Sequence, residues 1–90
     1  MKWTKSDYLF FFDRWLVPMI VEKYGVDEEK ALRLFINSQT YRMLADEETK
    51  LFRESPLVIF DLYKAEQKTG DPRNSSYIKN DAYETSTTNN

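Results

Sequence analysis

Asp46, Glu47 and Glu48 are the candidate carboxylates for acid–base work, and a carboxylate pair is the main acid–base device that the composition allows. Histidine and cysteine are both absent, so Ser-His-Asp and Cys-His sites, thiolate zinc sites and disulfides are excluded. Three consecutive acids point to different sides of a helix. They suit a charged helix start, beside the positive end of its dipole, better than a convergent site. Carboxylate oxygens could hold Mg²⁺ or Ca²⁺, but the spacing of a calcium loop is missing. Two glycines cannot build a phosphate-binding loop or a dinucleotide fingerprint. The expectation is a non-enzyme with no metal and no cofactor.

Arg33, Arg42, Lys50 and Arg53 are the nearest approach to a basic stripe. They are interleaved with Asp46, Glu47, Glu48 and Glu54, so their fields largely cancel over a Debye length of roughly 8 Å. The whole chain carries 13 Lys+Arg against 15 Asp+Glu, a net charge of −2, which offers phosphates no excess of positive charge. A nucleic-acid-binding transcriptional regulator is therefore the alternative, not the leading reading. The longest apolar run, Tyr8 to Phe12, is far short of the roughly 20 residues of a membrane span. A cytoplasmic protein without membrane contact is expected.

Four segments have the pattern of helices. Thr4 and Asp7 can form a capping box, and Tyr8, Phe11, Phe12, Trp15, Leu16 and Met19 then share a face up to the stop at Gly25. Pro18 inside this pattern predicts a kink or break near Val17. Asp27 caps a second helix that runs to about Asn37 and turns Ala31, Leu32, Phe35 and Ile36 to one side. From Ser38 to Glu54 a short helix followed by a loop or single turn is favoured over one continuous helix. Ser55, whose hydroxyl is expected to cap it, and Pro56 open the last helix, which presents Val58, Ile59, Leu62 and Tyr63 and stops at Gly70 before Asp71-Pro72. The result is an all-α bundle of three to four short helices over residues 1–70. Its expected core is Phe11, Phe12, Trp15, Leu32, Phe35, Ile36, Leu44, Phe52, Leu62 and Tyr63. Residues 71–90, poor in apolar groups, read as a disordered tail.

The informative residues are the apolar ones. Phe10, Val17 and Val21 lie opposite the main stripe of the first helix, and a helix apolar on two sides must be covered twice. Either it is the bundle's central helix, or Phe10, Val17 and Val21 form a surface for a protein partner or a second copy. In the tail, Tyr77 and Ile78 are isolated anchors that could order on a partner.

Three runs carry a resemblance: Ser38-Gln39-Thr40-Tyr41-Arg42-Met43-Leu44, Asp46-Glu47-Glu48-Thr49-Lys50-Leu51-Phe52, and Ser55-Pro56-Leu57-Val58-Ile59-Phe60-Asp61-Leu62. Over about residues 8–68 the chain resembles a family of short uncharacterised bacterial proteins, in which Lys50 stands where relatives carry glycine. The resemblance implies a small partner of the kind encoded in mobile or toxin–antitoxin-like loci, and it implies no catalytic residue. Thr49, Ser55 and Pro56 are helix punctuation, and Tyr41, Leu44, Leu51, Phe52 and Phe60 are apolar anchors. A run built of caps and anchors speaks for architecture, with a ligand site in the Asp46–Ser55 loop as the competing reading. The expected function is a protein–protein interaction module, antitoxin-like or adaptor, acting on a protein partner or as a homodimer.

Overall fold

The computed structural model describes residues 4–75 and is an all-α bundle. Helix α1 spans Lys5–Tyr24, α2 spans Glu28–Ile36, α3 spans Gln39–Ala45 and α4 spans Pro56–Thr69. Two 3₁₀ turns, Glu47–Thr49 and Leu51–Arg53, join α3 to α4, and a third, Pro72–Asn74, follows α4. The tail beyond Ser75, with the anchors Tyr77 and Ile78, lies outside the described residues.

The helix ends follow from local chemistry. Thr4 and Asp7 form the expected capping box: the Asp7 carboxylate accepts from the Thr4 N–H at 2.9 Å, and Thr4 Oγ1 accepts from the Asp7 N–H at 3.3 Å. Asp27 Oδ1 accepts from the Lys30 N–H at 2.8 Å at the start of α2. Gly25 and Gly70 end α1 and α4 in the left-handed conformation, at φ 67° and 86°, where a Cβ would be strained.

Helix α1 is not broken at Pro18. The proline removes the donor that would meet the Arg14 carbonyl, but both residues are exposed, so the lost bond falls on the solvent side. The buried residues of α1 are Tyr8, Phe12, Leu16 and Ile20. A spacing of four advances about 40° per step around a helix of 3.6 residues per turn. The buried line therefore winds around α1, and this one helix packs on α2, α3 and α4 in turn.

That winding corrects the expected core. Phe12, Phe35, Leu44, Leu62 and Tyr63 are buried as expected, joined by Tyr8, Leu16, Ile20, Ala31, Leu51 and Ile59. Phe11 and Phe52 are only half-buried. Trp15, Leu32 and Ile36 are exposed at 52%, 38% and 40%. In α2 the buried residues are Ala31 and Phe35 alone, a strip one side chain wide, and this leaves Leu32 and Ile36 at the rim.

Between α3 and α4 the short helix and turns are as favoured. Lys50, between the two turns, sits at φ 56° and ψ 21°, a left-handed position that suits glycine. Ser55 occupies the N-cap of α4 without a side-chain cap bond; its carbonyl instead accepts from Val58 and Ile59 at 3.0 and 3.3 Å. The packed domain also runs past Gly70. Pro72 and Ser75 are buried, and the Pro72–Asn74 turn packs on α4. The Thr69 hydroxyl holds that turn: it donates to Ala65 O at 2.8 Å and accepts from Asn74 Nδ2 at 3.0 Å.

Candidate functional site

Two regions stand out, one polar and closed, the other apolar and open. The polar one is the start of α3. Ser38 is its N-cap: the buried hydroxyl accepts from the Tyr41 N–H at 3.1 Å and donates to Phe35 O at 2.6 Å. Glu66, one helix away on α4, completes the cap. Its carboxylate accepts from the N–H groups of Gln39 and Thr40, both at 2.9 Å, and from the Thr40 hydroxyl at 2.8 Å. Gln39 Nε2 donates back to Gly70 O at 3.1 Å. The positive end of the α3 dipole favours the carboxylate, and the carboxylate leaves the buried Thr40 with no unmet donor. Beside it the Tyr63 hydroxyl is pushed up to about 12, first by burial, then by Tyr24 and Glu66.

Glu66 was not singled out in the sequence. It stands alone among Lys64, Gln67 and Lys68, 26 residues from Thr40, and only the fold brings the two together. The acids that the sequence did single out are used locally. Asp46 Oδ1 accepts from the Glu48 N–H at 3.0 Å, while Glu47 and Glu48 are exposed. Among the described residues no three acidic side chains converge on a point that could hold a metal ion. The Thr49 hydroxyl in the same loop donates to Met43 O and Asp46 O at 2.7 and 2.8 Å and accepts from the Leu51 N–H at 3.2 Å. The loop then buries Leu51 in the core and docks on α1 through Phe52, whose ring stacks on Tyr8 at 4.9 Å.

The basic residues are dispersed. Arg33 pairs with Glu29 at 2.7 Å on the exposed face of α2. The order α2, short turn, α3 has the connectivity of a helix–turn–helix. In that motif the start of the second helix meets DNA, and here the Glu66 carboxylate occupies that helix's free N–H groups.

The expected surface of Phe10, Val17 and Val21 does not exist as one patch. Phe10 is 69% exposed, but Val17 and Val21 are half-buried and pack against the core. Leu9 joins them there, so the inner face of α1 is broader than the pattern suggested.

The open apolar region lies on another side of the helix. Phe11, Trp15, Pro18 and Met19, flanked by Arg14 and Glu22, line a groove of about 590 Å³ on α1. Met19 and Glu22 also line an adjoining depression with Leu57 and Phe60 of α4. The two form one continuous face across both helices. Leu57, at 69%, and Trp15 are its most exposed members, and the Phe11 and Trp15 rings lie 6.4 Å apart. A Trp over a shallow groove, with apolar neighbours and a charged rim, is the composition of an interface core. A larger depression, about 650 Å³, lies between the end of α1 and α4. It is lined by Lys23, Lys64, Lys68 and Asp61, and its flexible ammonium groups make a solvated surface.

Asp13 on α1 is a half-buried acid with an unmet atom. Its Oδ1 is enclosed without a hydrogen-bond partner among the described residues, as is the Tyr8 hydroxyl. Burial pushes the Asp13 carboxyl up to about 6.

The chain matches no protein-family model, no curated protein and no solved structure. Among the described residues no helix is long and apolar enough to cross a membrane.

Proposed function

We propose that this chain is a helical protein–protein interaction module that docks its partner on the α1–α4 face. The carrying observation is the continuous open apolar surface lined by the exposed Trp15, Pro18 and Leu57 and the half-buried Phe11, Met19 and Phe60. Buried Trp side chains carry a disproportionate share of binding energy at interfaces, and Trp15 supplies one on a rigid helix. The resemblance to short bacterial proteins of mobile or toxin–antitoxin-like loci favours an antitoxin-like or adaptor role in the cytoplasm. In this reading the polar run from Ser38 to Ser55 is spent on folding, and no residue has a catalytic part.

The nucleic-acid alternative has less support. The start of α3 is neutralised by Glu66, and Arg33 is paired with Glu29. Site-specific photo-crosslinking in the native host tests the proposal. A photoreactive side chain at Leu57 should trap a protein adduct, and one at Glu29, on the polar face of α2, should not. A folded protein that gives no adduct at Leu57, or equal adducts at both positions, would contradict it.

A further inference from the structure

We infer that the α1–α4 face takes a second copy of this chain, through antiparallel pairing of α1 about a two-fold axis at Pro18. This deepens the interaction reading above and rests on it. Phe11, Trp15 and Pro18 follow one another at intervals of four and three residues, the seam of a helix that packs along a second helix. All three are apolar, and they line the same groove.

Arg14 and Glu22 flank this seam, and both are exposed. They are equidistant from Pro18, four residues before it and four after. A two-fold interface must be self-complementary, because each residue meets the other copy's counterpart. In an antiparallel pair centred on Pro18, Arg14 of each copy faces Glu22 of the other, twice. Trp15 then falls between Met19 and Glu22 of the other copy, which covers its exposed ring. A parallel pair would set Arg14 against Arg14 and Glu22 against Glu22, so the charges select the antiparallel arrangement. Pro18 suits the axis, since its short ring and missing N–H leave a low point where two backbones can approach. Leu57 and Phe60 of α4 extend the apolar area beside the seam. Phe10 sits about 140° around the helix from Trp15 and takes no part.

Sedimentation velocity on charge variants of the full chain tests this. Wild type should associate with a dissociation constant of roughly 100 µM or tighter. Arg14→Glu and Glu22→Arg should each weaken self-association about tenfold, as two exposed pairs become repulsive. An equimolar mixture of the two single variants should associate again, and so should the double variant, to within about threefold of wild type. Circular dichroism confirms that each variant is folded. As a second readout, Pro18→Cys should be joined to itself by a short bismaleimide, while Phe10→Cys should not; the natural chain has no cysteine to interfere. A wild type that stays monomeric at millimolar concentration overturns the inference. If Leu57 still crosslinks to another protein in that case, the interaction reading survives and only the second copy fails. A dimer that ignores both single charge reversals, or is not rescued by the mixture, overturns the antiparallel geometry.

Discussion

The start of α3 and the α1–α4 groove are built on opposite principles. At α3 every exposed-end donor is met: Ser38 caps from within the segment, and Glu66 reaches over from α4 to take two N–H groups and a hydroxyl. At the groove, Trp15 and Leu57 leave apolar area open to water although the same chain buries eleven other hydrophobic residues. The polar junction is finished inside the chain, and the apolar face is not. The contrast separates residues that hold the fold from residues available to a partner. Substitutions in the two regions should accordingly have different signatures.

The largest effect is expected at the junction. Glu66→Ala leaves the Gln39 and Thr40 N–H groups and the Thr40 hydroxyl without their acceptor. It should cost about 3 kcal/mol in urea denaturation, since hydrogen bonds to a charged acceptor contribute more than neutral ones. Glu66→Gln, which keeps one acceptor oxygen, should cost less. A loss under about 0.5 kcal/mol for Glu66→Ala would show that the junction is not the clasp described here.

Asp13 gives the next effect, and its sign is opposite to that of a paired carboxylate. Its folded value of about 6 lies above the ordinary 3.8, so the folded state holds the proton more tightly than the unfolded chain does. Stability from this group is full below about pH 4 and is lost as the pH rises through 6. Asp13→Asn should raise stability at pH 7.5 by roughly 1–2 kcal/mol, less than the full shift because solvent screens this partly exposed group, and flatten the profile between pH 4 and 7. An unchanged pH profile in thermal melts would remove this account of Asp13.

The two serine N-caps sharpen the comparison at smaller scale. Ser38→Ala should lose about 1–2 kcal/mol, because its hydroxyl both accepts and donates in a buried position. Ser55→Ala should stay within about 0.5 kcal/mol, because that hydroxyl makes no cap bond. Lys50→Gly should have the smallest effect, a gain of about 0.5 kcal/mol. The left-handed strain that it relieves is partly offset by the greater freedom of glycine in the unfolded chain.

The sequence made much of the fold legible because the signals were local. The Thr4–Asp7 box, the Asp27 cap, the Gly25 and Gly70 stops and the Ser55-Pro56 start each depend on neighbours within four residues. The short α3 with its turns was legible for the same reason. What it hid were contacts across the chain. Glu66 gives no sign of its partner 26 residues earlier, and the winding of the α1 stripe depends on having three neighbours at once. That winding sent Ile20 inward and left Trp15 outside, and it placed Val17 and Val21 beside the core instead of on a second face. That α1 carries more apolar residues than one inward face can take was readable from the sequence; which of them stay exposed was not. The same limit applied at Gly70, where the polar residues 71–75 gave no warning that Pro72 and Ser75 would pack on α4.

The urea midpoint followed by circular dichroism, as a function of protein concentration, tests most directly whether the apolar face is finished by a second copy. Association with the folded state alone raises stability with concentration. The wild-type midpoint should climb between micromolar and millimolar protein. The Trp15→Glu midpoint should stay constant and lie within about 1 kcal/mol of the wild-type value at the dilute limit. A wild-type midpoint independent of concentration would contradict pairing through this face, and so would a Trp15→Glu variant strongly destabilised at every concentration, which would make Trp15 part of the fold.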